Sequence, residues 1–360
     1  MDAVVPVGAK EAAGFVLGNV ARLRAAAPQV RRVVLVTPRA NAARLRAAAA
    51  ADGAAGGAGV DLVLEDERFP FTVADVRRVL AEDAGLPGQV ARAPWYFQQL
   101  LKLYAGEVVG EAVPDLTAPF LVIDADVRAT GAPLAFVEAA GDGRTVAGLF
   151  APSDYMHESY YGERERMGSA APHKGGRARG GTPGLTRVHF LVLLAHTKAL
   201  LDFPTLKQTV PCISHHAVFD PRVLAALRRR AEAVHGVPLW QAFLRCVPAD
   251  DFVNEGGASE YTAYLEMARR TAPATLRFRE LRFRDARWAE WERAGEAAMA
   301  ADGRGDEALA FVAFHRTTWR PRHGAESRPS PDARGAPDEA WAAKPDFGLE
   351  SRRAAMFSAT

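Results

Sequence analysis

Two aspartates separated by one alanine, Asp124 and Asp126, follow directly on the apolar run PFLVI. Two carboxylates at the carboxyl end of a strand in an open α/β sheet can hold a hard divalent cation, and a cation held there can bind a diphosphate. About one Asp-x-Asp is expected by chance in a chain this long, so the position of the pair carries more meaning than its spacing. Asp126 is the better metal-ligand candidate. Asp124, nearer the strand, suits a hydrogen bond from a ribose hydroxyl or a metal-bound water. The alternative is a polar turn in which the aspartates bond nearby backbone amides.

Other groups offer complementary chemistry. In CISHHAVFD, read as part of a strand, His215 and His216 face opposite ways, so one of them at most enters a given site, and His215 is the candidate. Cys212 and His215 have a zinc-like spacing, but no second compact pair supplies further ligands. In GGASEYTAYLEMA, Ser259 reads as a helix cap and Glu260 falls in the first turn, a placement that suits capping, catalysis or gripping a hydroxyl. In FVAFHRTTW, His315 follows a short apolar strand, where a lone histidine is more often structural than a ligand.

The elements that would position these residues alternate between two periodicities. AVVPV, RRVVLVTP and VDLVLEDE read as strands, with helical spacing between them and a glycine-rich break, DGAAGGAG, before the third. The alternation continues through VADVRRVLAEDAG and WYFQQLLKLYAG, both helical, to the strand PFLVI. This is the pattern of an α/β half-domain of nucleotide-binding kind. Beyond Asp126, RTVAGLF reads as a strand, while residues about 160–186 are polar, basic and glycine-rich and read as a flexible loop. Its Lys174, Arg177 and Arg179 carry charge suited to closing over a diphosphate. Helices follow around VHFLVLLAHTKALL, PRVLAALRRRAEAVHG (with Pro221 in its first turn and Gly236 past its end), LWQAFLRC and SEYTAYLEMARR. ATLRFRELRF alternates like a strand. Residues 321–360 lack periodicity and read as a weakly packed or disordered tail.

Composition excludes several classes. Hydrophobic residues at 49% and charged residues at 24% are ordinary for a globular protein, and 45 basic against 43 acidic residues leave no global field to favour nucleic acid. The apolar run HFLVLLAHTKALL is broken by His196 and Lys198 well short of the roughly 20 residues of a membrane span. The opening MDAVVPVGAK lacks a basic region followed by a sustained apolar one, and two cysteines make no disulfide framework; a cytoplasmic location is the expectation.

Taken in order, WYFQQLLKLY, FLVIDAD, CISHHAVFD, SEYTAY and FVAFH resemble the blocks of a largely uncharacterised group of GT-A-type glycosyltransferases, related to nucleotide-diphospho-sugar transferases. The resemblance covers about residues 2–320. It implies one GT-A-like domain: a mixed, mostly parallel sheet flanked by helices, with residues 1–126 binding the nucleotide sugar and residues 127–320 forming a helix-rich acceptor half. It also implies that Asp124 and Asp126 form a DxD metal motif, that His315 completes the metal site with Mn2+ or Mg2+, and that Gln98, Gln99 or Lys102 lies near the nucleotide or the motif. Helical spacing puts Gln98 and Lys102 on one face and leaves Phe97, Leu100, Leu101 and Tyr104 to pack. The activity implied is metal-dependent transfer of a sugar from a nucleotide-diphosphate donor to a glycan, lipid or small-molecule hydroxyl, with Glu260, or second His215, accepting or orienting the acceptor proton. Two alternatives stand beside it. One is a retired transferase fold acting as a scaffold. The other is a sugar-phosphate nucleotidyltransferase, which would place a more basic, glycine-rich loop than VPVGAKEAAG after the first strand. The segment VRATGAP after Asp126 lacks the bulky apolar residues expected of the group.

Overall fold

Successive side chains of a strand point to opposite faces, and in this chain both sets are apolar. Val4, Val34, Val36, Phe120, Val122, Ala217 and Phe219 belong to one buried cluster, and Ala3, Val5, Val33, Leu35, Leu121, Ile123 and Val218 to another. A sheet buried on both faces needs helices on both, which is the arrangement of the computed structural model. The structure describes residues 1–9, 11–51, 60–130, 134–139, 145–150, 183–206, 215–249, 257–278, 283–287 and 311–315.

The central sheet is built from β1 (Asp2–Pro6), β2 (Arg32–Thr37), β3 (Val60–Leu64), β4 (Phe120–Ile123) and β8 (His216–Phe219), in the order β3-β2-β1-β4-β8. The first four are parallel; β8 runs antiparallel to β4, with Ile123 opposite His216. The helices between them are α1 (Ala13–Ala26), α2 (Arg39–Ala51), the short α3 (Glu65–Arg68), α4 (Val73–Arg78) and α5 (Ala93–Ala112). After β4 come β5 (Val127–Ala129), β6 (Val137–Ala139), β7 (Thr145–Phe150) and α6 (Pro183–Leu201). After β8 come α7 (Pro221–His235), α8 (Leu239–Arg245), α9 (Glu260–Thr271), β9 (Leu276–Phe278), β10 (Phe283–Arg287) and β11 (Phe311–His315). Two smaller sheets, β10-β11-β5 and β6-β7-β9, complete the strands among the described residues. The mixed, mostly parallel sheet with flanking helices agrees with the architecture expected from the sequence. Residues 1–316 form one compact unit and 317–360 a second, which lies outside the described residues.

The ends of α7 are set by local chemistry, with Pro221 and Gly236 placed as the sequence reading expects. Asp220 caps α7 by accepting from the Arg222 amide at 2.8 Å, Pro221 takes the first turn, and Gly236 closes the helix with φ 66°. Thr72 and Asp75 form a reciprocal capping box on α4. Two boundaries differ from the sequence reading. α6 begins at Pro183, inside the stretch read as a loop, whose residues from about 160 to 182 lie outside the described ones, with Lys174, Arg177 and Arg179 among them. Within CISHHAVFD the described strand begins at His216; Cys212 lies outside the described residues, and His215 takes a positive φ of 55°. A non-glycine residue in that left-handed region bends the chain, so His215 stands at a bend just ahead of β8 and not within the strand.

α5 is the long internal helix on which the sheet and α7 both pack, and at Gly106 it lies close against α7. A Cβ there would stand 3.1 Å from Leu224 Cδ1 and 3.4 Å from Pro221 Cβ. Gly106→Val is therefore expected to destabilise the fold by about 1–3 kcal/mol through overpacking, measured by chemical unfolding.

At the amino end of the sheet, fully buried Asp2 accepts from Arg31 at 2.9 Å, Arg32 at 2.6 Å and the Thr117 amide at 2.9 Å. A buried charge needs such partners, and these tie β1 to β2 and to the segment before β4.

Candidate functional site

The carboxyl end of β4 is where the chemistry-bearing residues meet. Asp124 starts a tight turn: its carbonyl accepts from the Val127 amide at 3.1 Å, its amide donates to the His215 carbonyl at 2.9 Å, and Asn19 holds the Ala125 carbonyl at 2.9 Å. The backbone thus does form a turn. The Asp124 side chain meets charged partners instead of nearby amides: Oδ1 lies against Lys102 Nζ, and Oδ2 accepts from His215 Nδ1 at 3.1 Å.

Lys102 reaches this point from α5. Its ammonium has three donors, and three acceptors surround it: Asp124 Oδ1, Glu260 Oε1 at 2.6 Å and Tyr261 Oη at 3.1 Å. The Tyr261 ring also lies 4.6 Å from the nitrogen. Glu260 and Tyr261 arrive on the first turn of α9, where Ser259 accepts from the Thr262 amide at 3.2 Å as the cap read from the sequence. One turn before Lys102, Gln99 accepts from the Glu260 amide at 3.2 Å, so α5 grips the start of α9 at two levels. Lys102 and Glu260 are each only 3% exposed.

The cluster holds two carboxylates and one fixed ammonium, and its electrostatics follow from that imbalance. Burial opposes the charge on Lys102, but Asp124 and then Glu260 outweigh it and lift the ammonium well above its ordinary value. Burial also opposes ionisation of Asp124, yet Lys102 and His215 hold its carboxyl well below the usual carboxylate range. Glu260 goes the other way: burial raises it, Lys102 pulls it back only in part, and the Asp124 charge adds to the rise. Burial and the same aspartate push the Tyr261 phenol up.

The sequence candidates come together unevenly. Asp124, Lys102, Gln99, His215 and Glu260 form one contiguous network. Gln98 is half-buried on the next position of α5, outside that network; a helix advances about 100° per residue, and it is Gln99, three before Lys102, that faces α9. His216 points into the opposite core, fully buried with its ring 5.4 Å from Phe136. Asp126 is half-buried in the turn. β11 pairs antiparallel with β5, Ala313 opposite Val127, so the backbone of His315, two residues further on, comes level with the Asp124–Asp126 turn. The His315 side chain lies outside the described residues. Two members of the network were not assigned from the sequence. Tyr261 was signalled by its place beside Glu260 in the SEY block, whereas nothing marked Asn19 of α1.

A metal has a defined set of candidate donors here. Among the described residues no three His, Cys, Asp or Glu side chains converge on a point where an ion would sit. Both Asp124 oxygens already face nitrogen, so a direct metal bond there competes with Lys102 and His215. Of the metal-ligand candidates read from the sequence, Asp126 is of a donor type that suits a hard cation such as Mg2+ or Mn2+, and the His315 side chain lies outside the described residues.

The rest of the carboxyl edge is also polar. Thr37 donates to the Val7 carbonyl at 3.0 Å, Asn41 to that of Gly8 at 3.3 Å and Arg44 to that of Ala9 at 2.7 Å, so the end of β2 and α2 together pin the loop after β1. After β3, burial, then Asp66 and Glu11, push the Glu65 carboxyl up to about 8. A carboxyl raised on folding stabilises least once both states are ionised, so this contribution is lost as pH rises from about 4.5 to 8. Glu65→Gln is expected to raise the melting temperature relative to wild type at pH 9 and to leave it unchanged at pH 4.

No helix among the described residues is long and apolar enough to cross a membrane. No family model matches the chain, and no curated protein matches it. Solved structures do resemble it at 11% identity: mouse xyloside xylosyltransferase 1 in its apo form, with a TM-score of 0.37 over 89% of this chain and 99% of that one, and the galactosyltransferase LgtC in complex with donor and acceptor sugar analogues, with a TM-score of 0.36 over 87% of each chain. An active-site mutant of LgtC gives a TM-score of 0.36 over 89% of this chain and 92% of its own.

Proposed function

We propose that the chain is a glycosyltransferase that binds a nucleotide-diphosphate sugar at the carboxyl edge of the central sheet and transfers the sugar to a hydroxyl acceptor. One observation carries the reading: four of the five sequence blocks, from α5, β4, the turn before β8 and α9, each contribute side chains to one network, and the fifth, β11, brings its backbone alongside the same turn. Residues up to 159 positions apart meet at one strand end of a parallel sheet, where ligands of such sheets bind.

In this reading Asp126 and His315 hold a divalent cation, which supplies Lewis-acid stabilisation of the departing diphosphate. Asp124, kept ionised by Lys102, fixes the donor through a ribose hydroxyl or a metal-bound water. The acceptor hydroxyl loses its proton as the sugar carbon forms its new bond and the diphosphate departs. His215, whose ring Asp124 orients through Nδ1, takes that proton. Glu260 is enclosed and bound to Lys102, so it acts as an internal strut of the site and not as the base.

The test is incubation with a panel of nucleotide sugars and Mn2+, reading release of the nucleotide. The expected result is release from at least one donor, dependent on the cation. Absence of release together with absence of binding to every donor, metal present, overturns the reading.

A further inference from the structure

We propose that Lys102 is a positioning residue, whose ammonium locks the Asp124 carboxylate in its binding orientation and braces β4 against α9 without itself touching the donor. The proposal rests on the donor-site reading above. It departs from the simplest role for a lysine beside a DxD motif, which is direct contact with phosphate.

Three observations carry it. Lys102 is 3% exposed, so its nitrogen does not reach a ligand lying along the sheet edge. Its ammonium donates to Glu260 and Tyr261 and is ion-paired with Asp124 Oδ1, so a phosphate would have to displace one of these partners. The partners also lie on two different elements. Asp124 ends β4, while Glu260 and Tyr261 begin α9, and Gln99 holds the Glu260 amide from the same face of α5. An ammonium shared in this way fixes the direction of Asp124 Oδ1, and His215 fixes Oδ2. A carboxylate constrained at both oxygens presents its remaining lone pairs in one direction, which preorganises the group that meets the ligand.

A positioning role and a phosphate contact predict different double-mutant behaviour. Lys102→Met alone leaves two buried carboxylates facing each other. Lys102→Met combined with Glu260→Gln removes one charge of each sign and keeps the net charge of the cluster unchanged. The affinity of the full chain for the best-binding nucleoside diphosphate, with Mn2+ present, is measured by calorimetry for wild type, the charge-balanced pair, Asp124→Asn and the triple variant, with thermal melting as a check of folding. The charge-balanced pair and Asp124→Asn are each expected to weaken binding on the order of tenfold, the scale of one charged hydrogen bond, and the triple variant is expected to bind no more weakly than Asp124→Asn. The salt dependence of binding is expected to be the same in wild type and the pair. Losses that multiply in the triple variant, or a salt dependence that falls in the pair, assign Lys102 to the phosphate and overturn the proposal. So does a pair that binds within twofold of wild type. Wild type that binds no nucleoside diphosphate overturns the donor-site reading itself, an outcome visible before any variant is made.

Discussion

Asp126→Ala is expected to cut nucleotide release from the active donor by about a hundredfold or more, with the melting temperature measured alongside to separate chemistry from folding. Lewis-acid stabilisation of a leaving group is worth several kcal/mol, and each ~1.4 kcal/mol is a factor of ten in rate. Asp126 lies half-buried in the turn after β4, level with the point to which β11 carries the backbone of His315, while Lys102 and His215 face the two Asp124 oxygens. Loss of its carboxylate should therefore show in binding as well as in rate: metal-dependent binding of the nucleoside diphosphate should disappear, while metal-independent binding should change little. Full activity in the variant would remove Asp126 from the site.

Lys102→Met is expected to give the largest stability loss of any single substitution in the network, about 3–5 kcal/mol at pH 7 by urea unfolding, because breaking a buried ion pair on one side leaves uncompensated charge. The direction with pH follows from the two carboxyls. The Asp124 carboxyl is depressed on folding, so its stabilising charge is present above the ordinary carboxylate value and is lost as pH falls through its folded value. The Glu260 carboxyl is raised, so its ionisation weakens the fold as pH climbs from the ordinary value through the folded one. Without Lys102 both carboxyls bind protons more readily. The variant should therefore recover part of its deficit at mildly acid pH, where Glu260 takes up a proton first. Adding Glu260→Gln should restore most of the loss at pH 7. A deficit that is unchanged between pH 5 and 7, or one that Glu260→Gln deepens, would show that the lysine stem, and not its charge, is what the core needs.

Much of the local structure was legible in the chain because it rests on short-range chemistry. The runs RVVLVT and FLVI are apolar throughout, as strands buried on both faces must be, and each became a strand of the central sheet. Ser259, Pro221 and Gly236 mark helix ends by their own conformational preferences, and each does so in the fold. Strand alternation admits only one of His215 and His216 to a given site, and His215 is the candidate. His215 does meet Asp124, but it gets there from a left-handed turn ahead of the strand, a backbone state that no side-chain pattern announces.

The role of Lys102 was not legible. Helical spacing paired it with Gln98, whereas the packing of α9 against α5 selects Gln99, and the sharing of one ammonium between Asp124 and Glu260 depends on contacts 22 and 158 positions away in sequence. Glu260 read from its sequence position as a first-turn carboxylate open to capping or catalysis, and only its burial turned it inward. By itself the sequence determined which residues could carry charge, cap a helix or fill a strand, since those properties belong to a side chain and its near neighbours. The tertiary structure alone decided which of those charges face each other and which are shielded from water, because a carboxylate's partner and its dielectric surroundings are set by whatever the fold brings beside it.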